Sequence, residues 1–355
     1  MASTKEGDTA AAAQHLGFMS LSGSAVGRKD TDKDTGESTA KNGTTPTTKL
    51  CSACGKKSDA LKKCNGCKCV WYCDKECQNK HRKEHKHECR PIKKELEKRG
   101  GKLNLGDEMD IGPLGKLPPR EECPICMRVL PIHERLHMYA LCCGKFICSG
   151  CKFQHTMKRD QSTCPFCRTK LPESDEEMLV QLRKRVELKD PHALNNMAME
   201  HGFGRLGLPI NQAKCLELVR EAAALGCPTA QYELGSFHAQ GKMGLEQNEE
   251  EALNHWKKAA EGGQLLALYN VGLVEGRNSN DVAGMRHCRL AASGGHKRSI
   301  KVLMSCFEGG VLQHGDLADT LQAFYLAKGE MKSEDRDQYI QHLKMTGEYA
   351  EELEW

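Results

Sequence analysis

Twenty cysteines in 355 residues constrain this chain more than any other feature, because sixteen of them crowd into two blocks, 51–89 and 123–167. Thiols at that density are either bridged or bound to metal, and the redox compartment decides between the two. The first residues, MASTKEGDTAAAAQHLGF, lack a basic stretch leading into an apolar segment, and no apolar run reaches the ~18 residues of a spanning helix. The expectation is an intracellular chain with no membrane span, whose thiols stay reduced and serve as ligands. Composition agrees: 39% of residues are hydrophobic and 5% aromatic, too few for one large core, so small metal-stabilised modules carry part of the fold.

The first block reads CSACGKKSDALKKCNGCKCVWYCDKECQNKHRKEHKHEC. It offers CxxC at Cys51/Cys54 and Cys64/Cys67, CxxxC at Cys73/Cys77 and HxxxC at His85/Cys89. Eight donors make two tetrahedral sites, since structural zinc takes four nitrogen or sulfur ligands. A tight turn aims both thiolates of a CxxC at one ion, whereas CxxxC and HxxxC set donors on one face of a helix turn. No βαβ setting supports a redox CxxC. The order resembles the MYND finger, with Tyr72 before the fifth ligand, Gln78 after the sixth and His85-Lys86 leading to Cys89. That resemblance implies interleaved sites, with Cys51, Cys54, Cys73 and Cys77 on one zinc and Cys64, Cys67, His85 and Cys89 on the other. Many members carry a tryptophan where this chain has His81; His81, Cys69 and His87 exceed the ligand count and are expected at the surface or packed beside the metal. No stretch resembles the SET methyltransferase domain that accompanies some MYND fingers.

The second block runs CPIC (Cys123, Cys126), fifteen residues, CCGKFICSGC, twelve residues, then CPFCR, ending in Cys164, Cys167 and Arg168. It resembles a RING finger. The family's CGHxxCxxC laid over CGKFICSGC puts Lys145 at the histidine, and an ammonium with a pKa near ~10.4 has no lone pair for zinc at neutral pH. The neighbouring Cys142 supplies the donor in an all-cysteine variant: Cys123, Cys126, Cys148 and Cys151 on one ion, Cys142, Cys143, Cys164 and Cys167 on the other, with His137 or His155 in place of Cys142 as the alternative. The resemblance also implies docking of a ubiquitin-conjugating enzyme through an apolar residue in the first CxxC, a proline in the last and a basic residue after it. Ile125, Pro165 and Arg168 stand there, while the tryptophan that many active RINGs have between Cys151 and Cys164 is absent and only Phe153 is available. Structural zinc in finger peptides is worth about 10–16 kcal/mol, so both blocks are expected to unfold without metal.

Beyond Pro172 the pattern turns helical and repeats. DPHALNNMAMEHGFG, PTAQYELGSFHAQG and QLLALYNVGLVEG align with Ala193, Ala230 and Ala267 at a spacing of 37. A second helix follows each, ending in Ala223-Ala224-x-Gly226, Ala259-Ala260-x-Gly262 and Ala291-Ala292-x-Gly294, with the glycine expected as the left-handed cap. Pro191 and Pro228 suit the first helical position. The pattern resembles the Sel-one-like repeat, a relative of the tetratricopeptide repeat, on Leu234-Gly235, Gly241, Ala252, Trp256 and Ala259-Ala260. Stacked hairpins of this kind share a core and present a curved protein-binding surface.

The expected fold is multidomain: a disordered tail (1–48), a MYND-type finger (49–90), a linker with a short charged helix and a flexible Gly/Pro joint (91–120), a RING-type finger (121–172), helical repeats (173–310) and capping helices (311–355). The expected function is a zinc-binding protein-interaction protein holding four zinc ions. It would be a RING-type ubiquitin-protein ligase or ligase subunit that recruits partners through the MYND finger and a peptide or protein ligand on the repeats; the alternative is a non-catalytic adaptor. Four closed sites leave no position for catalytic water. Nucleic-acid binding ranks last. Residues 49–100 hold sixteen Lys or Arg against seven Asp or Glu, but seven thiolates and two zinc ions reduce the surplus from about +9 to about +6.

Overall fold

The computed structural model describes residues 49–58, 60–100, 115–158 and 162–348. The tail expected to be disordered, most of the Gly/Pro linker and the last residues of the capping region lie outside the described residues. The architecture is a helical repeat solenoid carrying two cysteine-rich modules.

In the first module a short antiparallel hairpin, β1 (Lys62–Lys63) and β2 (Trp71–Tyr72), leads into the 24-residue helix α1 (Lys75–Lys98). The Asp74 carboxylate caps α1, accepting from Cys77 N at 2.8 Å. The charged helix expected in the linker is the second half of α1, which runs through Pro91 without a break. An interior proline costs on the order of 3 kcal/mol. The helix continues because Ile92 and Leu96 are buried against helices from the far end of the chain, and each such burial returns about 1.5–3 kcal/mol. The second module comprises a 3₁₀ turn (Glu134–Leu136), the antiparallel pair β3 (His137–Ala140) and β4 (Lys145–Cys148), and α2 (Ser149–Lys158). Leu130, Ala140 and Ile147 form its small core with the cysteines.

Eight helices build the solenoid: α3 (Asp175–Glu187), α4 (Pro191–Phe203), α5 (Gln212–Ala224), α6 (Pro228–Gln240), α7 (Glu249–Glu261), α8 (Leu265–Arg277), α9 (Asp281–Ser293) and α10 (Lys297–Glu308). Pro191 and Pro228 open α4 and α6, and Gly204 and Gly241 close them in the left-handed conformation. Ala193, Ala230, Ala252, Ala259 and Ala267 are wholly buried. Gly235 lies where a Cβ would stand 2.5 Å from the Trp256 ring, so Leu-Gly in one helix and Trp in the next form one packing unit. The expected glycine register needs correction. Gly226 is left-handed, but Gly262 and Gly294 are not; their successors Gly263 and Gly295 are, at φ 85° and 102°. The helix ends therefore align as Ala222-Ala223, Ala259-Ala260 and Ala291-Ala292. Gly262 and Gly294 permit close approach, a Cβ there falling 2.6 Å from Pro228 and 2.7 Å from Leu265.

The last helices, α11 (His314–Met331) and α12 (Glu334–Thr346), cover the modules as well as the solenoid end. One core joins Cys51, Cys67, Val70 and Ile92 of the first module to Leu303, Phe307, Leu317, Leu321 and Tyr325. Arg289 of α9, 2% exposed, pairs with Asp316 at 2.9 Å and donates to Thr320 Oγ1 at 3.1 Å, tying α11 to the repeats. On the second module Leu136 packs with Ile340 and Leu343 of α12. The described end of the linker is likewise docked: Leu117 packs with Leu265 and Leu290, and Arg120 donates to Gly294 O at 2.8 Å and pairs with Glu330 at 3.0 Å. A flexible joint is not what residues 115–120 form, because Gly294 leaves room for Leu117 against the repeat.

Candidate metal centres and docking surface

All twenty cysteines are free, and sixteen donors gather into four clusters, the members of each within 4.8 Å of one another: Cys51, Cys54, Cys73, Cys77; Cys64, Cys67, His85, Cys89; Cys123, Cys126, Cys148, Cys151; and Cys142, Cys143, Cys164, Cys167. These are the sets expected from the sequence, with Cys142 rather than a histidine in the last.

The chain brings them together with one repeated device. In four of the five CxxC pairs the residue after the second cysteine turns left-handed, Gly55, Lys68, Met127 and Arg168 at φ between 52° and 72°. Its N–H returns to the carbonyl of the first cysteine, at 2.8 Å (Gly55 to Cys51), 3.1 Å (Lys68 to Cys64), 2.9 Å (Met127 to Cys123) and 3.0 Å (Arg168 to Cys164). For a non-glycine residue that conformation costs about 1–2 kcal/mol, a strain offset when the paired sulfurs share an ion. Cys77, His85 and Cys89 lie on α1, so HxxxC sits on the helix as expected, whereas Cys73 lies in the bend before the Asp74 cap, outside the helix turn expected for CxxxC. Cys148 and Cys151 come from the β4–α2 junction.

Sulfur separations test the fit to zinc. Tetrahedral zinc with bonds of about 2.3 Å places ligand sulfurs about 3.8 Å apart. Here Cys54 and Cys73 are 3.6 Å apart, Cys64 and Cys89 3.7 Å, Cys126 and Cys148 3.9 Å, and Cys142 and Cys167 3.3 Å. Disulfides, at about 2.05 Å, are excluded. Backbone amides support the charged sulfurs, Cys148 N to Cys123 Sγ and Cys151 N to Cys148 Sγ, both at 3.5 Å. Burial pushes the Cys51 thiol up, but the amides of Cys54 and Ala53 bring it down to about 7.

His85 Nε2 lies 3.2 Å from Cys67 Sγ, and its far nitrogen is held from a distant part of the chain. Tyr325 of α11 donates to Glu88 Oε2 at 2.8 Å, which leaves the phenol oxygen to accept from His85 Nδ1–H at 3.4 Å. That relay fixes the tautomer with the Nε2 lone pair toward the sulfurs. His81 stacks on His85 with centroids 5.7 Å apart, bonds Tyr72 OH through Nδ1 at 3.0 Å and meets Tyr325 edge-on. Burial, then the neighbouring His85, lowers its pKa to about 4, so it packs as a neutral ring where many MYND fingers have tryptophan. Cys69 is buried with Sγ 3.2 Å from His314 Nε2, and His87 is exposed. Local spacing gave no signal for Tyr325, His314 or Arg336, the residues of α11 and α12 that reach the clusters. Arg336, 1% exposed, donates to Val129 O and Met331 O at 2.8 and 2.6 Å and reaches Cys126 Sγ at 3.6 Å.

The three docking candidates fare differently. Ile125 is 41% exposed and Arg168 is exposed, its guanidinium 3.3 Å from His155 Nδ1, but Pro165 is buried. Phe153 lies under α12 against Tyr339 and His342, with centroids 5.7 and 5.0 Å away. His155 bonds Thr163 and His137 packs on Phe146, both outside the cysteine clusters. Among the described residues no helix is long and apolar enough to cross a membrane.

Comparison with known families matches residues 51–89 to the MYND finger and residues 191–227, 228–264 and 265–296 to the Sel1 repeat. None of the curated proteins compared matches the chain. Among solved structures, it is similar to a Sel1 repeat protein from Oxalobacter formigenes, at 25% identity and TM-score 0.34 over 36% of this chain and 98% of that one. It is also similar to a protective antigen of uropathogenic Escherichia coli displaying an SLR fold, at 19% identity and TM-score 0.37 over 51% of this chain and 39% of that one. The chain carries a MYND finger at residues 51–89 and three Sel1 repeats across 191–296.

Proposed function

We propose that this zinc-binding protein-interaction protein holds four zinc ions in its four clusters, and that residues 121–172 act as a RING-type platform for a ubiquitin-conjugating enzyme. In the proposed organisation a MYND module (49–90) and the helical repeats (173–310) recruit protein partners inside the cell. Zinc in closed four-ligand sites supplies fold, not chemistry; the chain's residues bind and orient. The observation that carries the reading is the exposure of Ile125 and Arg168 on the two CxxC turns of the second module. Arg168 is exposed, and the part of its guanidinium not engaged with His155 offers donors to a partner's carbonyls or carboxylates. The test is ubiquitin transfer in vitro over a panel of conjugating enzymes. Transfer that falls at least tenfold in Ile125→Ala and Arg168→Ala supports the platform; transfer indifferent to both refutes it.

A second reading, a non-catalytic adaptor, is favoured by the burial of Pro165 and by α12 lying over Phe153. It expects silence across the whole panel with partner binding retained. Nucleic-acid binding is supported least, since lysines of α1 are matched locally by Glu76 and Glu97 at i, i+4.

A further inference from the structure

One more donor cluster exists among the described residues, and it contains no sulfur. His238 near the end of α6, and Glu251 and His255 one turn apart on α7, each bring one donor atom within 4.8 Å of the others. We propose that this trio is a further metal site, taking one divalent transition ion, Zn²⁺ or its neighbours Co²⁺ and Ni²⁺, on the α6–α7 hairpin.

Three features prepare the site. First, Gln231 Nε2 donates to Ala223 O at 3.2 Å, which turns its Oε1 to His255 Nδ1 at 2.8 Å. An amide oxygen only accepts, so Nδ1 carries the proton and the Nε2 lone pair is free for an ion. Second, Asn248 pins two of the ligands at once: its N–H donates to His238 O at 2.9 Å and its side chain accepts from Glu251 N at 3.0 Å. Third, His238 Nδ1 is buried with no hydrogen-bond partner, as is His201 Nδ1 at the equivalent position of the first repeat, so what sets the second repeat apart is the gathering of His238 with Glu251 and His255. The rings of His238 and His255 are stacked, 5.5 Å between centroids at 12°.

The neighbouring repeats show that this is a property of one repeat. The equivalent positions hold His201 with Leu218 in the first, and Glu275 with His287 in the third, where the carboxylate meets the imidazole at 2.7 Å. Only the second repeat sets two imidazoles against a carboxylate. Three protein donors leave a coordination position for water or for a donor from a partner, unlike the closed cysteine sites.

The test titrates Co²⁺ into the full-length chain already loaded with zinc. The expected result is one further equivalent per chain, with weak visible bands and no sulfur-to-cobalt charge transfer. His255→Ala and His238→Ala should each lose it, and Gln231→Ala should weaken it about 10–100-fold. Glu251 is exposed, so Glu251→Gln keeps the fold and should also weaken binding. Uptake unchanged in Glu251→Gln and His255→Ala, no further equivalent, or an added cobalt seen only through thiolate charge transfer would each overturn the site.

Discussion

Replacing Arg336 by methionine tests whether the C-terminal helices are part of the metal modules' stability. The guanidinium is 1% exposed, and its hydrogen bonds run to the carbonyls of Val129 and Met331 and to Cys126 Sγ. A cluster of four thiolates around one divalent ion carries a net −2, so Arg336 is the buried countercharge of the Cys123, Cys126, Cys148, Cys151 cluster. Methionine fills much of the same volume and removes only the charge and the donors. Two carbonyls left without partners cost about 1–3 kcal/mol each, and removing one member of a buried charge pair typically costs about 3–5 kcal/mol in all. Taking about 4 kcal/mol, the folded ratio falls roughly 10³-fold, and the melting temperature drops by about 10 °C for a unit of this size. Thermal denaturation together with zinc release to a chromogenic chelator reads both consequences, and release from the second module should accelerate while the MYND finger keeps its metal. A variant that melts with the parent and releases zinc at the parent's rate refutes the account.

Stripping the metal should do more than unfold the modules. Since Cys51, Cys67 and Val70 share a core with Leu317, Leu321 and Tyr325, chelation should also expose amides of α11 to hydrogen exchange while α4–α8 stay protected; equal protection of α11 with and without metal contradicts this. Acid should weaken the repeats through His296, which is 7% exposed, bonds Ser299 Oγ at 2.9 Å and has its pKa lowered to about 4 by burial and then by Arg298. The unfolded imidazole takes its proton near ~6.5, so between there and the folded pKa the unfolded state binds more protons and stability falls with pH, by about 3 kcal/mol once pH 4 is reached. Denaturant midpoints for the parent and His296→Asn should converge as pH drops through that window; parallel curves would remove His296 as the cause.

Ligand sets and repeats were readable in the sequence because both are local. CxxC, CxxxC and HxxxC carry their geometry within a turn, and a 37-residue period repeats its own packing. What eluded sequence reasoning is long-range. Nothing in QAFYLAKGEM says that Tyr325 braces His85, or that Arg336 faces a thiolate, because neither contact has a sequence spacing to recognise. The same reason hid the docking of Leu117 and the covering of Phe153, which took the expected capping helices beyond the solenoid end. The glycine register failed for a different cause. Both Gly262 and Gly263 fit a helix end by sequence, and only the closeness of Pro228 distinguishes the one that needs a bare backbone from the one that turns left-handed.

The seam between Ile92 and Leu317 imposes an order of events on a ribosome. The MYND segment emerges about 220 residues before the helix that covers it, which at 5–20 residues per second is a wait of roughly 10–45 s. Through that interval the newborn finger, even with its metal in place, shows its surroundings a greasy flank whose mate has yet to be translated.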